Sequence, residues 1–384
     1  MRSSVTKMQR LAVNILKKML ELYSPSRHEA ELSAFLAKTM EALGFETRRD
    51  GVGNVIGEFG EGKPIILLCG HMDTVTGELP VRCESGRLYG RGAVDAKTSL
   101  AAMIVAASML LNEKMSGKII VAGVVDEEGG GIGIEQLVDD GIKADYAIFG
   151  EPSGVDQITI AYKGSLHVKI LVETIAGHSS APWLFENAIE TAFEVYESLR
   201  AINFPAEKKD SKFFSTTSCM TKIHSGSPSS VMPAKCELHV DFRIPPQIST
   251  RELFGEIERT ISRYGNDKTK TVVKVEVLNA CEPYEADTDS LLVRSLSWAV
   301  RMVRGNPATW VRKTGTGDMN FYGSRVRVPA VSYGAGNSSL DHTPHEFIDL
   351  KEYEDSIEVL YLGIKRLLEL HMKREQRLKK SIPR

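Results

Sequence analysis

Cysteine is scarce and shows no pairing pattern. The five present, Cys69, Cys83, Cys219, Cys236 and Cys281, are odd in number, widely spaced and include no C-x-x-C pair. Neither a disulfide framework nor a thiolate zinc site is expected, and a reducing, cytoplasmic setting is. Charge of one sign is missing too. The 48 basic side chains face 50 acidic ones, a net charge of −2, which offers no global footprint for nucleic acid or a membrane surface. Long apolar runs are absent: near the N-terminus Leu11, Ile15, Met19 and Leu22 share one helical face that Asn14, Lys17, Lys18 and Glu21 interrupt. That pattern predicts a docked first helix and excludes a signal peptide or a membrane span. No internal repeat is visible. The glycine-rich stretches 57–62 and 129–133 have the spacing of neither a dinucleotide fingerprint nor a phosphate loop. The one basic run, Lys373 through Arg384, reads as a solvated tail.

What is there is an ordinary globular composition, 42% hydrophobic and 26% charged, in a chain of 384 residues, long enough that two domains are expected. Between Lys63 and Pro152 three short apolar runs end on polar residues. Ile65–Cys69 runs into Gly70-His71, Lys118–Val125 into Asp126-Glu127-Glu128, and Ala147–Phe149 into Gly150-Glu151. Each reads as a buried strand delivering a metal-competent side chain at its carboxyl end. A helical pattern at Thr98–Leu111 lies between them, which predicts an α/β domain with a mainly parallel sheet and its site beyond the strand ends. From about Tyr162 the pattern becomes strand, helix, two strands, helix, strand, the order of a ferredoxin-like α+β unit. The expected division is therefore 1–161 with 276–384 as the catalytic domain and 162–275 as an inserted domain.

The candidate chemistry sits at the run ends. Asp73, two residues beyond His71, is placed to hydrogen-bond the second imidazole nitrogen, as partners of metal-bound histidines do. Asp95 follows Gly90-Arg91-Gly92 and is either a metal ligand or a helix N-cap. In Glu127-Glu128, adjacent side chains at a strand end point different ways, so one can ligate a metal while the other faces substrate. Glu151 adds a carboxylate and His342 an imidazole, with His345 a rival. Two histidines and three carboxylates suit two divalent ions of the zinc type.

As an ordered set, these motifs resemble the dizinc family of acetylornithine deacetylase, succinyl-diaminopimelate desuccinylase, aminoacylases and glutamate carboxypeptidases, over nearly the full chain. The resemblance implies that His71 and Glu151 hold one zinc, Glu128 and His342 the other, that Asp95 bridges them, and that Glu127 is the general base, with cobalt a possible substitute for zinc. His342, rather than His345, has the family's spacing to Glu346 and Phe347. A cis peptide after Asp95 is implied too. Glutamate at 151 goes with deacylases and carboxypeptidases more than with aminopeptidases. The stretches Arg312–Asn320 and Leu340–Pro344 resemble most the subfamily that frees lysine or ornithine from an amino-group carrier protein in amino-acid biosynthesis. Alternatives are a small-molecule N-acyl amino acid deacylase or a carboxypeptidase, and, against the presence of Glu127, a non-catalytic metal-binding protein.

His178 matches the family's lid histidine, an oxyanion donor that dimeric members lend to the partner's site, so a homodimer through the inserted lid is implied. A released amino acid carries a carboxylate. Its expected readers are Arg243 or the backbone of Gly315, Thr316 and Gly317.

Overall fold

The computed structural model describes residues 2–111, 113, 116–205, 208, 210–265 and 270–381, with side chains from Met8 to Lys379. The end of the basic tail, 382–384, lies outside the described residues. The chain divides into two compact units, the first made of Met1–Ile160, Ala286–Val311 and Gly317–Arg384, the second of Ala161–Glu285 and Arg312–Thr316.

The first unit is built on a large sheet whose centre is parallel. Ile65–His71 lies between Gly117–Val124 and Tyr146–Phe149 and runs parallel to both, and Ala330–Ser332 continues parallel beside Tyr146–Phe149. These strands are short, apolar and almost wholly buried, as parallel strands covered on both faces must be. The flank is antiparallel: Val55–Glu61 pairs with Gly117–Val124, and Glu46–Arg49 with Val55–Glu61. The apolar runs did not announce these flanking strands, because half of their side chains face solvent. The helix Lys97–Leu110 is buried on nearly all sides, packed between the strand Ile65–His71 and the closing helix Leu350–Ser381. A helix apolar on nearly every face from Leu100 to Ala107 is the expected occupant of such a place. The first helix, Arg2–Glu21, buries Ala12, Ile15, Leu16, Met19 and Leu20. No helix among the described residues is long and apolar enough to cross a membrane.

The second unit is a four-stranded antiparallel sheet in the order Thr217–Ser225, Lys235–Ile244, Gly164–Glu173, Val272–Cys281. Its strands alternate. Leu166, Val168, Ile170 and Val172 join Leu238, Val240 and Phe242 on a face covered by the helices Ala188–Arg200 and Thr250–Ile261. Its main segment ends at Glu285 rather than at 275, and Arg312–Thr316 joins it. Val272–Cys281 pairs with Gly164–Glu173 along its whole length, so a boundary at 276 would cut a strand in two.

Candidate metal centre and active site

Three parallel strands end at one place in the first unit, and the loops beyond them carry the donors. His71 closes its strand. Its Nε2 lies 3.1 Å from Asp95 Oδ1 and its Nδ1 3.0 Å from the carbonyl oxygen of Asp73. His342 Nε2 lies 3.1 Å from the other oxygen, Asp95 Oδ2, and 2.9 Å from Glu128 Oε1. Donor atoms of His71, Asp95 and Glu151 fall within 4.8 Å of one another, and so do those of Asp95, Glu128 and His342. Asp95 belongs to both groups. It does not cap the helix that follows, whose N-cap is Ala96 without a side-chain bond, and the Asp95–Ala96 peptide is cis. His345 belongs to neither group.

The Glu127-Glu128 loop is held from three sides. Asp73 accepts the backbone N–H of Glu127 through Oδ1 at 3.1 Å and that of Glu128 through Oδ2 at 3.0 Å, and takes a further bond from Ser26 Oγ at 2.7 Å. Glu29 Oε1 accepts the N–H of Asp126 at 3.0 Å and Asn54 Oδ1 that of Val125 at 3.0 Å. Sequence reasoning gave Asp73 a role toward His71. Its bracing of the two glutamates, and the parts of Ser26, Glu29 and Asn54, were invisible because nothing in their spacing marks contacts made across the fold.

The Glu151 loop is set by close packing. Gly150 N–H bonds the Cys69 carbonyl at 2.7 Å and Ser153 N–H that of Gly334 at 3.2 Å. A Cβ at Gly334 would stand 2.0 Å from Ser99 Oγ and 2.7 Å from the Glu151 carbonyl oxygen. Gly334→Ala is therefore expected to destabilise the protein by about 1–3 kcal/mol through overpacking. Calorimetry should record a lower melting temperature, and an unchanged one would mean that the loop yields freely.

Electrostatics follow from burial and pairing. Burial raises the pKa of Glu127 well above the usual carboxylate value; His71 opposes the shift, while Glu151, Asp318 and Asp95 add to it. Burial and Asp95 raise Glu128. Asp95 goes the other way: burial opposes ionisation, but hydrogen bonds to His342 and His71 prevail and hold its pKa low. His342 is pushed up to about 9, first by its bond to Asp95. Burial disfavours the charged form of His71, yet its bonds to Asp73 and Asp95 outweigh that and raise it. Burial keeps the Cys69 thiol neutral, as a core residue rather than a ligand.

Asp318, buried at the start of the helix Asp318–Val326 and pushed up to about 7 by burial, is a carboxylate the sequence reading passed over. Its signal was the charge directly after the Gly315–Gly317 turn. Gly317 itself lies beside Glu127: a Cβ there would be 3.5 Å from Glu127 Oε1.

The remaining candidates belong to the second unit. Arg243, on Lys235–Ile244, donates through Nε to Asp241 Oδ2 at 3.0 Å and through Nη1 to Thr316 Oγ1 at 3.5 Å, so the proposed carboxylate readers Arg243 and Thr316 are neighbours. At Gly315 a Cβ would meet nothing within 4 Å. His178 is exposed, and its Nδ1 accepts the N–H of Ser180 at 3.1 Å.

Such a donor set, with a buried carboxylate beside it, is what metal-dependent hydrolysis requires. The chain belongs to the peptidase family M20/M25/M40, whose model matches residues 67–366. It is similar to a LysW-lysine hydrolase from Deinococcus radiodurans, 33% identical over 362 residues that cover 93% of this chain and 97% of that protein. A LysW-lysine/LysW-ornithine hydrolase from Saccharolobus solfataricus is 33% identical over 358 residues, 92% of this chain and 93% of its own. Among solved structures, the fold matches that of a dinuclear metal binding peptidase of the M20 family from Bacillus subtilis with a TM-score of 0.71 at 14% identity, covering 94% of this chain and 99% of that one.

Proposed function

We propose that the protein is a dizinc hydrolase that releases lysine or ornithine from its linkage to an amino-group carrier protein in lysine or arginine biosynthesis. The observation that carries the chemistry is Asp95 standing in both donor groups, with His71 and Glu151 on one side and Glu128 and His342 on the other. The substrate follows from the names of the two relatives. Donors on one tetrahedral zinc stand roughly 3.4 Å apart. The contacts of 2.9–3.1 Å among Asp95, His71, Glu128 and His342 need only open slightly to accept an ion. Two zinc ions, with cobalt a substitute, supply a water that ionises near neutral pH and a polarised amide carbonyl.

The chain's own residues do the rest. Asp73 orients His71 and pins the glutamate loop. Glu127, outside both donor groups, takes the proton of the attacking water and passes it to the departing amine. His178 donates to the carbonyl oxygen as charge develops there, and Arg243 with the turn at Thr316 binds the carboxylate of the leaving amino acid. In this reading the second unit is a lid through which two chains pair. A cytoplasmic setting belongs to the same proposal and accords with five free cysteines.

Its test is a substrate panel with zinc- and cobalt-loaded protein: carrier-linked lysine and ornithine, acetylornithine, acetyllysine and succinyl-diaminopimelate, with released amino acid read by mass spectrometry. The carrier conjugates are expected to exceed the others in kcat/KM by at least about tenfold, a difference of roughly 1.4 kcal/mol. A preference for a free acyl amino acid would replace this reading with a small-molecule deacylase, and no turnover of any would leave a binding protein.

Metal uptake should also release protons, because metal binds only the neutral imidazole. His342 titrates at about 9 without metal. Below that pH the ion must displace its proton, and affinity is expected to fall about tenfold per pH unit for this one group, levelling off above pH 9. Calorimetric titration in buffers of different ionisation enthalpy should count at least one proton released at pH 7. None released would mean that the imidazoles are already neutral.

A further inference from the structure

Two of the donor-bearing turns come from distant parts of the chain, and one buried ion pair ties them together. Arg91 and Glu346, 255 residues apart, are 7% and 2% exposed, and Arg91 Nη1 lies 3.0 Å from Glu346 Oε2. A buried ion pair is by itself weak evidence of stabilisation, since both charges lose their hydration. What sets this pair apart is where its remaining atoms go. Glu346 Oε1 accepts the backbone N–H of Val94 at 2.8 Å and of Asp95 at 3.1 Å. Arg91 Nη1 also donates to the carbonyl of Thr343 at 3.1 Å, the residue after His342, and Nε donates to that of Gly77 at 2.8 Å. Beyond Glu346 the chain pairs at once, Phe347–Asp349 running antiparallel to Arg87–Tyr89. His342 itself stands at φ +61, a conformation that a non-glycine side chain keeps only where its surroundings impose it.

We propose that Arg91 and Glu346 are positioning residues of the metal centre. Together they lock the turn carrying Asp95 and the turn carrying His342 in one register, so that the Asp95 carboxylate faces both imidazoles. The pair acts through backbone and contacts no donor atom. This inference rests on reading Asp95 and His342 as ligands.

Partners of metal ligands commonly set affinity by 10–100-fold. Titration of metal-depleted protein with zinc against a chromophoric chelator should therefore find Glu346→Ala and Arg91→Ala weakened by about that factor, with two ions still bound at saturation. Glu346→Gln keeps an acceptor for the two amides, and Arg91→Lys keeps the charge without the fork, so both should lie between. The double alanine variant should be no weaker than the worse single, because the two residues act as one unit. The metal-induced rise in melting temperature should shrink in the same order. If Glu346→Ala does not fold, Glu346→Gln and Arg91→Lys decide the matter.

Wild-type zinc affinity in these variants, or a lower metal-free melting temperature with affinity unchanged, would overturn the proposal and leave the pair a structural tie. Additive losses in the double variant would equally overturn the idea of a unit. His342→Ala and Asp95→Ala serve as controls for the underlying assignment. Should both retain two ions at wild-type affinity, the ligand reading fails rather than the positioning one.

Discussion

Glu127→Gln should lose roughly 10²–10⁴-fold in kcat, the range a positioned general base contributes, and keep both metal ions. Asp73 accepts the N–H groups of Glu127 and Glu128 on its two oxygens. Neighbouring backbone units are thereby held while their side chains diverge: Glu128 reaches His342 at 2.9 Å, and Glu127 joins neither donor group. Its carboxylate is buried and stands outside both donor groups, which suits a group that must hold a proton briefly and give it up to an amine. Glutamine keeps the shape of the cleft and removes the proton acceptor. Metal content by mass spectrometry and kcat with a carrier-linked substrate, measured on the same preparation, check this. Loss of an ion along with activity would show that Glu127 and Glu128 have exchanged roles.

The second large effect is expected at His178. Its Nδ1 accepts the Ser180 N–H, so a neutral ring carries its proton on Nε2 and can donate it. Removal of one oxyanion donor costs about 10²–10³-fold in kcat. His178→Ala is therefore expected to lower kcat by that factor while zinc affinity stays as in the wild type, none of the His178 ring atoms being in a donor group. If two chains pair through the second unit and exchange this histidine, mixing His178→Ala with Glu127→Gln chains should restore part of the activity, since one site of each mixed pair then has both intact groups. No recovery in a verified mixed dimer would place His178 in its own chain's reaction or outside it. A chain that stays monomeric at assay concentrations would remove the exchange altogether.

The amino-acid sequence by itself determined the parts of this protein that local chemistry dictates. Ile65–Cys69, Lys118–Val125 and Ala147–Phe149 are legible as strands because a parallel strand buried on both faces must be apolar throughout, and a polar residue at its end marks where burial stops. The alternation of Leu166, Val168, Ile170 and Val172 is legible for the matching reason in a sheet covered on one face. The donors could be picked out because metal-binding side chains are few in kind and stood at those ends.

Tertiary structure alone decided which of them meet. Whether Asp95 caps a helix or lies between His71 and His342 depends on a turn anchored 251 residues away by Glu346. Family spacing to Glu346 and Phe347 singled out His342 over His345, but that its ring meets Asp95 and Glu128 depends on a turn at φ +61 held by distant contacts. Ser26 and Asn54 went unread, and Arg91 and Glu346 were noted only as parts of motifs, because each acts on a distant segment through hydrogen bonds that leave no period in the sequence. The edge of the second unit was misplaced for the same reason: strand pairing, not composition, carries Val272–Cys281 past residue 276. Local sequence specifies what a segment can offer, and the long-range contacts that form only on folding specify what it is held against.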